Sequence, residues 1–239
     1  QAVGWRTSML GLAGTVVLIS IGLLWVKNPT KIETQETGSF LDLLKLRQLW
    51  PIIPLLFVNY APAAGLRGLW VGPYLVDSFN ADTAMVGQAT FVMSLAMIVG
   101  TFAYGPMDRL FGTRKWVIIG GNGLGLVCLI ALCLVANPSY WVAVALFSAV
   151  AVFGMSYPLM VAHGKSFAPV HLSGRAVTLM NLFAIGGVGI MQVLTGYIHQ
   201  TALQSGLVGA NLYTPLFVFY AVLIAIGLAI YLKAQDNLN

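Results

Sequence analysis

Seven stretches of this chain, 8–26, 51–76, 84–106, 116–136, 140–162, 176–198 and 213–232, are apolar throughout except for one charged side chain, Arg67. A bilayer core about 30 Å thick takes roughly 20 apolar residues per helix, so each stretch has the length of a membrane crossing. Inside lipid every backbone N–H and C=O must be satisfied within the segment, and a helix does this. The expected fold is all-α: a polytopic membrane helix bundle with seven transmembrane helices. Composition agrees. Of 239 residues, 59% are hydrophobic and 8% charged, against roughly a quarter charged in soluble domains. That excludes a soluble enzyme, a disordered regulator and a disulfide-stapled secreted domain. Cys128 and Cys133 lie five apart in one apolar run, share no helix face and read as small apolar fillers.

Loop charge sets the expected orientation. The segments 27–50 (Lys27, Lys31, Lys45, Arg47), 107–115 (Arg109, Arg114, Lys115) and 163–175 (Lys165, Arg175), with Lys233 in the tail, hold ten Lys and Arg. The intervening loops 77–83, 137–139 and 199–212 hold none, and only Arg6 lies on their side. Basic loops stay in the cytoplasm, so the N-terminus is expected outside and the C-terminus inside, in an integral protein of a bacterial inner membrane. The net charge of +5 is therefore loop charge facing membrane lipid, and no nucleic acid partner is implied. The first apolar run is too late and too long for a signal peptide. The first residue is Gln1 rather than Met, so the natural start is expected to be missing.

Three parts are expected: a first span at 1–27, a cytoplasmic linker at 28–50 and a six-helix bundle at 51–239. Within the linker, KIETQETG (31–38) reads as flexible, and Ser39 with Asp42 three residues on fits a capping box. Phe40, Leu43, Leu44 and Leu46 follow at near-helical spacing, as in a short amphipathic helix on the inner membrane surface. The second span carries Pro62, Gly65, Gly68, Gly72 and Pro73. So many helix breakers predict a kinked or discontinuous helix, tolerated in a membrane only against protein or water and used by transporters to line a site. The pairs Gly68/Gly72 and Gly121/Gly125 have the spacing of close helix packing. The runs GGNGLG and GGVG lie inside uncharged spans without a preceding strand, so they are not nucleotide loops.

The loop after the third span reads Gly105-Pro-Met-Asp108-Arg109-Leu-Phe-Gly112-Thr-Arg114-Lys115. This resembles the signature loop of the major facilitator superfamily: glycine, Asp-Arg, then glycine followed by basic residues. Two residues, Leu110 and Phe111, separate the arginine from the second glycine where the family pattern has one, and Asp108 follows Gly105 at three rather than four. Gly4-Trp5-Arg6 with Lys27-Asn-Pro29 looks like the family's sixth helix, the lead-in at 39–50 like the approach to the seventh, and Gly174-Arg175 with Gly186, Gly187, Gly189 and Gly196 like the eleventh. The chain thus resembles the family's helices six to twelve, the C-terminal half plus one.

The resemblance implies a secondary transporter that moves a small solute by alternating access through a cavity shared with a missing N-terminal half or a partner chain. Polar residues in the implied cavity helices are Asn59, Tyr60, Arg67, Tyr157, Asn181 and Gln192, with Ser156 beside them. Arg67 fits an anionic solute, or it snorkels to the outer interface or pairs with Asp77. The others line the cavity or bond between helices. Gly105, Asp108, Arg109, Gly112, Arg114 and Lys115 are expected to form a cytoplasmic gate. No Asp or Glu lies deep in a span, His163 and His199 read as polar caps at helix ends, and His163, His171 and His199 lack metal-ligand spacing. No nucleophile–base set is visible, so neither enzyme activity nor a cofactor or metal is expected. The rival expectation is a seven-span structural or scaffolding subunit of a larger membrane complex.

Overall fold

The structure, a computed structural model, describes residues 5–26, 39–135 and 138–238. Lys27, Lys31, Gly4 and the expected linker up to 38 lie outside the described residues. The chain divides into two compact units, Gln1–Thr37 and Gly38–Asn239. The first contains α1 (Trp5–Leu23), an apolar helix long enough to cross a membrane. Among the described residues there is no strand, and seven helical stretches are long and apolar enough to span a bilayer.

The second unit opens with α2 (Phe40–Leu44). The capping box forms: the Leu41 N–H donates to Ser39 Oγ at 3.3 Å, and the Ser39 N–H donates to Asp42 Oδ2 at 2.8 Å. The helix is shorter than its apolar spacing predicts. It gives way to a 3-10 turn at Arg47–Leu49, with Leu43 and Leu49 fully buried.

Three pieces then make one continuous span: α3 (Ile53–Gly65), a π-helical turn (Leu66–Trp70) and α4 (Val71–Phe79). The helix breakers resolve into a π-turn rather than a gap. α5 (Thr83–Phe111) starts at Asp82, whose carboxylate accepts from the Met85 N–H at 2.8 Å, a cap that satisfies an orphan donor. α6 (Lys115–Leu134) follows after three residues. The next span is split into α7 (Tyr140–Gly154) and α8 (Tyr157–Lys165). α9 (Ser173–Gln204) and α10 (Thr214–Tyr231) complete the unit.

α3 is the central helix, packed on α9, α10 and α7, with Leu55, Leu56 and Leu66 fully buried. Small residues let the backbones meet, as packing in lipid requires. A Cβ at Gly187 on α9 would run into the Phe57 carbonyl of α3, and one at Gly154 would approach the Ala63 Cβ at 2.6 Å. Of the glycines paired by spacing, Gly121 backs onto the Tyr104 ring and Gly125 onto Phe153, whereas Gly68 meets nothing.

Candidate functional site

One face of the central span is not covered by its own bundle. Phe57, Tyr60 and Ala64 are half-buried and Arg67 and Gly68 are exposed. These positions fall on one face at 3.6 residues per turn. The π-turn lies at the end of this face. Such turns insert an extra residue and re-aim side chains, often at functional sites. On it stands Arg67, whose Nη1 donates to Ser94 Oγ of α5 at 3.1 Å. Ser94 in turn donates to the Thr90 carbonyl at 2.7 Å. The Asp77 carboxylate is engaged elsewhere, accepting from the Tyr213 hydroxyl at 2.5 Å. Among the described residues no carboxylate pairs with Arg67.

Two turns before Arg67 on the same face, the Tyr60 ring stacks on Tyr157 of α8, with centroids 5.1 Å apart. The Tyr157 hydroxyl donates to Asn181 Oδ1 of α9 at 3.3 Å. Three of the polar residues marked by sequence therefore meet, from three helices. Gln192 lies three turns further along α9 and is half-buried.

Asn59 points the other way. It is 2% exposed, and its Nδ2 donates to Asn122 Oδ1 of α6 at 2.6 Å and to Ser156 Oγ at 2.9 Å. Asn122 Nδ2 donates to Ser156 Oγ at 3.1 Å and to the Ile118 carbonyl at 2.9 Å. Ser156 sits in the break between α7 and α8, where Pro158 has no N–H for the Gly154 carbonyl. A cavity of about 20 Å³ lies beside Asn59 and Asn122, enough for about one water molecule, and Asn59 Oδ1 has no partner among the described residues. This knot ties α3, α6 and the broken span together behind the open face. Neither Asn122 nor the break was singled out by sequence.

At the end of the bundle that holds the basic loops, Asp108 is buried, and its Oδ2 accepts from Arg114 Nε at 3.0 Å. The turn is made by Gly112 alone, at φ 63°, with its N–H donating to the Asp108 carbonyl. Gly105, the first glycine of the signature loop, lies within α5, which runs on through Pro106. Arg109 is exposed. The loop is stitched to the C-terminal tail. Asp236 accepts from the Thr113 hydroxyl and from the backbone N–H groups of Lys115 at 3.0 Å and Arg114 at 3.2 Å. Lys115 Nζ donates to the Leu232 carbonyl at 2.8 Å. His163, fully buried, bonds Tyr231 Oη at 2.7 Å through Nδ1 and the Gln235 carbonyl at 2.8 Å through Nε2, which fits its reading as a capped end residue. Burial pushes the Asp236 carboxyl up, but the bonds from Thr113, Lys115 and Arg114 and the charge on His163 hold it below the usual carboxylate range.

The family model of the Major Facilitator Superfamily matches residues 54–237. The chain belongs to the major facilitator superfamily. The match runs from α3 to the tail and includes the signature loop, the open face and the knot behind it. A superfamily member with seven membrane-length helices among its described residues is a membrane transport protein. A comparison with curated proteins found no match.

Proposed function

We propose that this superfamily protein moves a small solute across the membrane by alternating access. The observation that carries the reading is the open polar face of the central span, which gathers Tyr60, Arg67, Tyr157 and Asn181 from three helices beside a π-turn. An uncovered polar face within lipid is costly unless protein or water meets it. A second half, from the same polypeptide or a partner chain, would close the cavity over it. Gln192 extends this wall along α9, and Asn59 braces it from behind. Asp108, Arg109, Gly112, Arg114 and Lys115 serve as the cytoplasmic gate, with Gly105 on the helix that leads into it. The basic loops face the cytoplasm of a bacterial inner membrane, and the start of this chain lies outside. The cavity carries out no covalent chemistry and takes no metal. Solute uptake by the full-length protein in proteoliposomes tests the reading. Flux of at least one solute from a broad panel is expected, and folded protein that moves none of them refutes it.

A further inference from the structure

The open wall has two chemically distinct ends, and together they describe a ligand. At one end the Arg67 guanidinium spends a single donor on the neutral Ser94 hydroxyl. Among the described residues the rest of its five N–H donors are unclaimed and no carboxylate neutralises it. A cation in an apolar span without a counter-ion is costly, and a bidentate carboxylate is its best-matched partner. At the other end, seven residues or about 10 Å back along the helix axis, the stacked Tyr60 and Tyr157 rings offer an aromatic surface. Asn181 lies beside them with its oxygen occupied by the Tyr157 hydroxyl and its amide N–H groups without a partner among the described residues. An aromatic surface favours a flat ring, and the amide donors favour a polar substituent on it.

We propose that the ligand of this wall is a small aromatic carboxylate, its carboxylate on Arg67 and its ring against Tyr60 and Tyr157. This rests on the wall being the solute site, and it names the solute's class. An aliphatic anion uses only one end, and a neutral arene only the other.

The test is binding of benzoate, benzamide and acetate to the full-length protein in nanodiscs, followed by ligand-induced thermal shift, with benzoate uptake measured in proteoliposomes. Benzoate binds at least about tenfold more tightly than benzamide, as a charge-assisted contact requires, and more tightly than acetate. Arg67→Gln removes the preference over benzamide and Arg67→Lys keeps part of it. Tyr60→Leu and Tyr157→Leu bring benzoate down to the acetate level, and an unfolding transition retained in the same thermal scan separates loss of the ring contact from misfolding. Equal binding of benzoate and benzamide, or an unchanged preference in folded Arg67→Gln, overturns the proposal. Uptake of neutral solutes without benzoate binding overturns the ligand class and leaves transport standing. Benzoate binding without flux of any solute upholds the ligand class and overturns transport.

Discussion

At the level of single residues, the sequence points to the open wall and only partly to the support behind it, since it marks Asn59 and Ser156 but not Asn122. Tyr60, Arg67, Tyr157 and Asn181 stand out because polar side chains are rare in apolar spans and are placed there for partners. Asn122 stands out less, since it sits in a glycine-rich run that invites only the nucleotide-loop question. Its role comes from three helices meeting, which local spacing does not report. Asn122→Ala would leave the buried Asn59 amide with Ser156 alone. The expected cost is about 1–3 kcal/mol, read as a lower unfolding temperature in detergent, and an unchanged temperature would show the knot to be dispensable. Asn59→Ala removes the amide with its partnerless oxygen but takes away the donor to the buried Asn122 Oδ1, so it should cost at least as much as Asn122→Ala. Gly187→Ala drives a Cβ into the Phe57 carbonyl. Overpacking of this kind costs about 1–3 kcal/mol, and a thermal scan of the purified variant measures it.

At the level of elements, span count and approximate bounds follow from bilayer thickness, because lipid tolerates neither a short apolar helix nor an unpaired backbone. Where a helix changes character within a span is less legible. The breakers from Pro62 to Pro73 announce an irregular second span but do not say whether it gaps or gains a π-turn; the turn ends at Trp70, which is buried and donates to Thr195 Oγ1 of α9 at 3.0 Å. The α7–α8 break has only Gly154 and Pro158 as a signal. The loop–tail stitch was invisible because its acceptor, Asp236, lies 122 residues from Arg114. Asp236 has a lowered pKa in the fold. Its contribution is therefore complete above its ordinary value of 3.8 and is lost as pH falls through the lower folded value. Protection of the tail amides, taken relative to the free-chain exchange rate at the same pH, should hold down to about pH 4 and fall below it, whereas Asp236→Asn is weakly protected at every pH. Equal exchange in both proteins would remove the stitch from the account. Gly112→Val places a branched side chain at φ 63°, which costs about 1–2 kcal/mol and should loosen the same loop.

At the level of the whole molecule, the family assignment and the geometry make one account. A central helix packs on three neighbours through small residues, and its remaining face, polar and uncovered, is where the proposed function puts a second half and a solute. The bundle was foreseeable from apolar length and loop charge. The direction in which each polar side chain faces was not, since Asn59 and Tyr60 are adjacent in sequence, yet Asn59 turns into the bundle and Tyr60 toward the open face. The direct measurement is the accessibility of Asn181→Cys, in a protein whose Cys128 and Cys133 are replaced by alanine, to a membrane-impermeant maleimide applied from one face of the membrane and then from the other. Alternating access predicts labelling from both faces, slowed by bound solute. Labelling from one face only, or from neither, would contradict it.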